Sequence, residues 1–319
     1  MSAAGDWVSV FAPATIANVG PGFDCFGISL GEPGDIVRAR VVAEPGVKIT
    51  AIRGDGGALP YEAERNTAGQ AALAILAGEG EWAARHGLEL EIEKGLPAGS
   101  GLGSSAASAV CGAVAAMLAV GHATGSVYNR DRVLFAAVDG EAVASGAWHA
   151  DNVAPALFGG FTIVQSLDPL NVVRLEPLLP CRVAVVTPDF VVETKRAREA
   201  LPKSVSMRDA VANCANAASL VAALLTANGP LLRAALADRL AEPHRAKLIP
   251  GFAEAKRAAI AAGAYGCSIG GSGPTLFALA PDEDDAERAG EAIVATFARH
   301  GLTSRLLVCE ISPLGARRI

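Results

Sequence analysis

Residues 97–107 read PAGSGLGSSAA. Three glycines and three serines stand at the mouth of an alanine-rich run. Before them, residues 88–96 read LELEIEKGL, where Leu88, Leu90 and Ile92 alternate with Glu89, Glu91 and Glu93. That period of two predicts a strand with one wet face. After them, the alanine run predicts a helix from about Ser105 to Val120. The stretch therefore joins a strand to a helix. The first backbone N–H groups of a helix have no partner within it, and a phosphate there gains hydrogen bonds and a favourable dipole. Glycines permit positive φ and close approach. Spacing alone leaves two readings open, a phosphate grip and a tight structural turn. It does exclude some motifs. The Walker pattern needs a lysine where Ser104 follows Gly103, and the dinucleotide fingerprint needs a glycine at Ser104. Residues 97–107 also lack a G-x-S-x-G nucleophile elbow.

Working outward, DWVSVFAPA and the segment ending in FGISL predict two strands joined by a turn at Gly20, Pro21 and Gly22. DIVRARVV and VKITAI predict further strands. TAGQAALAIL predicts a helix capped by Asn66, and DRVLFAAVDGEAVASG predicts another. The second half alternates strands at RVAVVTP, CSIG, TLFALA and SRLLVCEI with helices. DEDDAERAGEAIVATFARHG carries acids at its start and Gly301 as its stop. Helices on a mostly antiparallel sheet imply an α+β design. A domain boundary is expected near Gly160.

The chain has 319 residues, 51% hydrophobic, with a formal net charge of -6. That is enough for one large or two medium domains, and it lacks the basic balance expected of a nucleic-acid binder. Cys25, Cys111, Cys181, Cys214, Cys267 and Cys309 form no C-x-x-C, so buried free thiols and a cytoplasmic location are expected. The histidines form no H-E-x-x-H. The N-terminus lacks the signal-peptide pattern. Leu96 to Gly121 carries no charge, and its Ala, Gly and Ser content reads as a buried helix rather than a membrane span.

The string KGLPAGSGLGSSAASA resembles the phosphate-binding motif of the GHMP kinase superfamily. PATIANVGPGFDCFGISL, GEAVASGAWHADNVAPALFGGF, EPHRAKLIPGF and GCSIGGSGPTLFAL resemble, in order, four further motifs of one family within it, the homoserine kinases. The match runs from about Val8 to the C-terminus. It implies a GHMP kinase fold, with an N-terminal ribosomal-protein-S5-domain-2-like part and a C-terminal ferredoxin-like part. Residues 1–160 would form the ATP-binding domain and 161–319 the C-terminal domain, with the active site between them. Kinases of this family transfer the ATP γ-phosphoryl group to the side-chain hydroxyl of L-homoserine, a step toward threonine. They are often homodimers and use no nucleic acid or membrane partner.

The same resemblance implies roles. Pro97, Ala98, Gly99, Ser100, Gly101, Leu102, Gly103, Ser104, Ser105, Ala106 and Ala107 would wrap the phosphates. Ser105 and Glu141 would hold Mg²⁺, which prefers hard oxygen ligands. Asn66 and Lys94 would contact the nucleotide base. Asp24 suits the substrate ammonium, and Arg198 and Arg245 suit its carboxylate because a guanidinium binds it as a planar fork. Asn18 and Asn152 would hold the hydroxyl, with His149 nearby and Thr194 beside the reacting oxygen. Each residue also has an ordinary reading. Asn66 would cap its helix, Lys94 would solvate a strand end, and Glu141 and Arg198 would be exposed helix charges. Asn18 and Asp24 would serve a turn. Residues 270–274, GGSGP, would be a hairpin connection or a second site loop, and the two are compatible.

Some superfamily relatives place an aspartate where Asn152 stands, and an amide cannot take a proton. Asp151 is adjacent. The expectation is catalysis by alignment and charge neutralisation without a dedicated base, which phosphoryl transfer tolerates. Two alternatives remain at this point: a GHMP kinase for another small alcohol, and a non-catalytic ligand sensor on the same fold.

Overall fold

The computed structural model describes residues 5–97 and 99–319, with the side chain of Thr194 left out. Its elements run β1 (Val8–Ala17), β2 (Phe26–Val42), β3 (Gly46–Arg53), α1 (Thr67–Ala77), β4 (Gly87–Glu93), α2 (Ser104–Thr124), α3 (Arg130–Ser145) and α4 (Val153–Phe158). They continue with β5 (Phe161–Leu167), β6 (Leu170–Leu175), β7 (Arg182–Pro188), α5 (Thr194–Glu199), α6 (Met207–Leu225), α7 (Gly229–Ala235), α8 (Glu242–Arg245) and α9 (Phe252–Ala261). The last are β8 (Gly266–Ile269), β9 (Leu276–Ala280), α10 (Glu283–Arg299), β10 (Ser304–Glu310) and β11 (Arg317–Arg318).

A first sheet has the order β11-β1-β2-β4-β3, with β5 pairing β2 and β6 pairing β5. The long β2 serves two neighbours on one edge. Its start, Phe26–Ile28, pairs β5, and Ile36–Val42 pairs β4. Leu88, Leu90 and Ile92 are buried as their alternation requires, while Glu89 and Glu91 meet Arg40 and Arg53 on the outer face. Helix α2 packs on β1 and β2 and is covered in turn by α1 and α3. It is long and apolar enough to cross a membrane, and the structure places it inside the core. Its alanines make the tight packing feasible, because small side chains let helices approach closely.

The second sheet has the order β10-β7-β9-β8, all antiparallel. Read as its own four strands, this is the 4-1-3-2 arrangement of a ferredoxin-like split βαβ unit. The pleat assigns its two faces. Val183, Val185, Phe277 and Leu279 join the core beneath α6 and α7, continuous with the first sheet's core. Ala184, Val186, Leu276 and Ala278 face a second core under α9 and α10.

The chain crosses between the sheets after the expected boundary at 160. β5 and β6 belong to the first sheet, so the second begins only at β7, at Arg182. The physical reason is edge pairing: the start of β2 extends past β4 and needs a partner, which Phe161–Ile163 supplies.

Candidate active site

The glycine loop is held at two points. Thr15 donates its backbone N–H to the Leu102 carbonyl at 3.0 Å, and the Thr275 hydroxyl donates to the Ser100 carbonyl. Gly103 caps α2 with φ 66°, and a Cβ there would lie 2.0 Å from the Thr15 hydroxyl oxygen. Only glycine fits. Because that cap has no side chain, no side-chain oxygen covers the first N–H groups of α2. A Cβ on Gly101 would meet the Gly270 carbonyl oxygen at 2.8 Å. The two glycine loops, distant in sequence, thus touch backbone to backbone.

Opposite them lies an unusual turn. Asn18, Val19 and Asp24 all have positive φ, at 72°, 42° and 55°. Such conformations cost energy for these residues and concentrate at functional sites. Asn18 accepts from the Asp24 N–H at 2.9 Å and donates to the Gly271 carbonyl at 2.8 Å. Arg245 donates to the same carbonyl at 3.0 Å and to Ala197. Gly271 is therefore a hub between the halves of the chain.

Asp24 and Arg198 form a two-pronged ion pair, both bonds 3.1 Å. Arg198 also donates to His149 Nε2 at 2.6 Å, and His149 Nδ1 faces the Ala147 carbonyl at 3.0 Å. That pattern fits a neutral imidazole protonated on Nδ1. Burial, then the Arg198 charge, pushes the His149 pKa down in the same sense. The guanidinium carbons of Arg245 and Arg198 lie 5.0 and 5.7 Å from the centre of the Phe23 ring. Nothing in the sequence marked Phe23 as their platform.

Ser105 donates to Glu141 Oε1 at 2.9 Å. The other carboxylate oxygen, Oε2, is buried with no hydrogen-bond partner among the described residues. Burial pushes the Glu141 pKa up to about 7. A buried carboxylate oxygen without a donor, beside a hydroxyl, is the arrangement a hard divalent cation satisfies. Asp151 is also buried, and desolvation, reinforced by the Asp24 charge, lifts it to about 7. The Thr15 hydroxyl donates to Asn152 Oδ1 at 2.8 Å, which fixes that amide.

One cavity of about 370 Å³ takes in both ends of this array, from Asn66, Ser105 and Glu141 to Asp24, His149, Asn152, Arg198 and Arg245. Its size suits a small-molecule site. Several of the expected site residues also serve the fold. Leu102, Ala106 and Ala107 sit in the hydrophobic core rather than on the cavity. Lys94 reaches the cavity wall, but its ammonium is taken by Asp35, the Ser108 hydroxyl and the Ser104 carbonyl. An ammonium has three donors, so none remains for a base. Asn66 caps α1 through two backbone N–H groups and donates to the Pro60 carbonyl. Ala98 lies outside the described residues, as does the side chain of Thr194, which begins α5.

The family model GHMP kinases N terminal domain matches residues 66–160, and GHMP kinases C terminal matches 210–299. A homoserine kinase from Chlorobium phaeobacteroides (strain BS1) is 40% identical, aligned over 98% of this chain and 99% of its own. One from Xanthomonas campestris pv. campestris (strain B100) is 43% identical over 96% and 92%. The crystal structure of homoserine kinase from Cytophaga hutchinsonii superposes with a TM-score of 0.90 at 42% identity, covering 98% of each chain. The chain belongs to the homoserine kinase family. Within the GHMP superfamily, a mevalonate kinase from L. major shares the fold at a TM-score of 0.68 and 15% identity. As a homoserine kinase family member, the chain is an ATP-dependent kinase acting on a hydroxyl acceptor. The expectation of an α+β GHMP kinase fold holds.

Proposed function

We propose that the chain phosphorylates the side-chain hydroxyl of L-homoserine, making O-phospho-L-homoserine from ATP. The observation that carries the substrate assignment is the pairing of Asp24 with Arg198 beside Arg245 in one cavity. A zwitterionic amino acid supplies an ammonium for the carboxylate and a carboxylate for the two guanidiniums. Mevalonate and galactose have no ammonium to draw Asp24 from Arg198.

The N–H groups at the start of α2 and the positive-φ glycine loop cradle the phosphates. Ser105 and Glu141 would hold Mg²⁺ together with the nucleotide. Bound there, the metal would neutralise charge on the transferring phosphoryl group. Asn152, fixed by Thr15, and Asn18, fixed between Asp24 and Gly271, orient the acceptor hydroxyl. Thr194 completes the acceptor end by its family position. Most of the rate comes from alignment, as a loose phosphoryl-transfer transition state allows. The hydroxyl proton leaves to phosphate or water, because Asn152 cannot accept it.

One observation favours a second route for the proton. Asp151 lines the cavity with a pKa of about 7, the range suited to a general base. Turnover of Asp151→Asn decides between them. The cytoplasm is the compartment that fits free thiols, since all cysteines are unpaired. A homodimer is expected from the family. The function itself is tested by incubating the protein with ATP, Mg²⁺ and each of L-homoserine, mevalonate and galactose. Phosphorylation of homoserine alone is the expected outcome. Binding of ATP and homoserine without product would mark a sensor.

A further inference from the structure

The mechanism above leaves one buried ion pair unused. Asp35, on β2, is 0% exposed, and its partner Lys94, at the end of β4, has a side chain only 5% exposed. Asp35 Oδ1 accepts from the N–H groups of Gly95 and Leu96, at 3.0 and 3.1 Å. Oδ2 accepts from Lys94 and from the Ser108 hydroxyl at 2.7 Å. Lys94 donates onward to the Ser108 hydroxyl at 2.7 Å and the Ser104 carbonyl at 3.0 Å. Ser104 closes the ring by donating its hydroxyl to the Leu96 carbonyl at 3.0 Å.

Each bond in this ring joins two of three pieces: the entry of the glycine loop at residues 94–96, its exit on α2, and Asp35 beneath both. The ring therefore fixes the separation and angle of the two loop ends. Between them, Gly99, Gly101 and Gly103 all have positive φ and great intrinsic freedom. Fixing the ends narrows the conformations of that freedom before ligand arrives, which raises affinity by lowering the ordering cost of binding. A buried ion pair contributes little to stability compared with apolar groups of like volume, so a stability role alone explains it poorly. The pair is also neutral as a unit, so it brings no net charge to the phosphates.

We infer that Asp35 and Lys94, bridged by Ser108, are positioning residues that set the phosphate loop for nucleotide binding. This rests on the reading of that loop as the ATP site. It assigns Lys94 an indirect role in place of contact with the base.

The test measures binding of a Mg²⁺-loaded, non-hydrolysable ATP analogue by calorimetry, with KM values and thermal midpoints alongside. Four variants are compared: Asp35→Asn/Lys94→Met, which keeps the acceptor for Gly95 and Leu96; Lys94→Met; Ser108→Ala; and Val114→Ala, a core change in α2 that serves as the stability control. The double variant is expected to weaken analogue binding at least about tenfold with the KM for homoserine within about twofold. Ser108→Ala weakens it about threefold, and Val114→Ala lowers the midpoint without changing binding. Should the double variant not fold, Ser108→Ala carries the test. The inference is overturned if binding falls no further than in Val114→Ala at an equal loss of midpoint. It is equally overturned if Lys94→Met weakens binding while Ser108→Ala leaves it unchanged, since Lys94 would then touch the nucleotide itself. Analogue binding needs no acceptor, so a wild type that binds it but makes no phosphohomoserine counts against the proposed function and not against the clamp.

Discussion

Arg198 grips Asp24 through both terminal guanidinium nitrogens at 3.1 Å while holding His149 with one of them. In the proposed function these are the ammonium-binding acid and the carboxylate-binding base, and without substrate they satisfy each other. A zwitterion would replace that bond with two of its own. Both side chains are more than a third exposed, so the pair adds little to stability. Arg198→Ala is predicted to raise the KM for homoserine about a hundredfold, with the KM for ATP and the thermal midpoint nearly unchanged. Adding Asp24→Asn to it should cost less than the sum of the single changes, because the two act on one ligand. Steady-state kinetics of the four proteins check this, and simple additivity would contradict it.

Arg245 differs from Arg198 in being 4% exposed and bonded to Gly271 and Ala197. Its removal takes the proposed substrate contact and a bridge between the halves together. Arg245→Ala is predicted to lower the thermal midpoint as well as catalysis. Arg245→Lys rescues neither fully, because a single ammonium cannot reproduce the fork over Phe23. Calorimetric midpoints and KM for homoserine provide the two readouts.

Glu141→Gln should separate stability from function. Oε2 of Glu141 is buried without a partner, and burial holds the group at about 7, so the apo fold bears the cost of this acid. The isosteric amide removes that cost and the metal ligand together. The expected outcome is an equal or higher thermal midpoint with kcat reduced about a hundredfold or more. A lower midpoint with full activity would contradict the assignment.

Asp151 gives a pH signature. Its folded pKa is raised to about 7, first by burial and then by Asp24, whereas an unfolded carboxyl titrates near about 4. Between those values the folded state holds a proton that the unfolded state lacks. The contribution is fully present below about pH 4 and is lost as pH rises through about 7. Asp151→Asn should therefore gain stability relative to wild type as pH goes from about 5 to about 8. Its slope differs by up to about 1.4 kcal/mol per pH unit, visible in denaturant titrations. With alignment as the main source of rate, its kcat stays within about tenfold of wild type. A loss of a hundredfold or more, with both affinities intact, would make Asp151 the base.

Local patterns were readable from the chain where one element's own residues decide the outcome. Leu88, Leu90 and Ile92 declared their buried face, Asn66 declared a cap, and Gly99 to Gly103 declared a loop needing positive φ. Partnerships across the fold were not. Asp35 and Lys94 are 59 positions apart, and neither residue type reveals that the two are buried together. Glu141 reads as a surface charge in its helix until α2 is known to pack against α3. β5 reads locally as the start of a new unit, while its pairing with β2 is set by register. The family motifs brought the substrate residues to attention; the geometry adds Phe23, Thr15 and the Gly271 carbonyl, which position them.

The most direct measurement is product identity. Purified protein is mixed with ATP, Mg²⁺ and L-homoserine, and the mixture is read by phosphorus NMR and mass spectrometry, with Arg198→Ala and Arg245→Ala run in parallel. The account predicts O-phospho-L-homoserine and ADP in equal amounts from the wild type, and little product from either variant at the same homoserine concentration. ATP and homoserine bound by the wild type with no phosphohomoserine formed, or full turnover in both arginine variants, would contradict it.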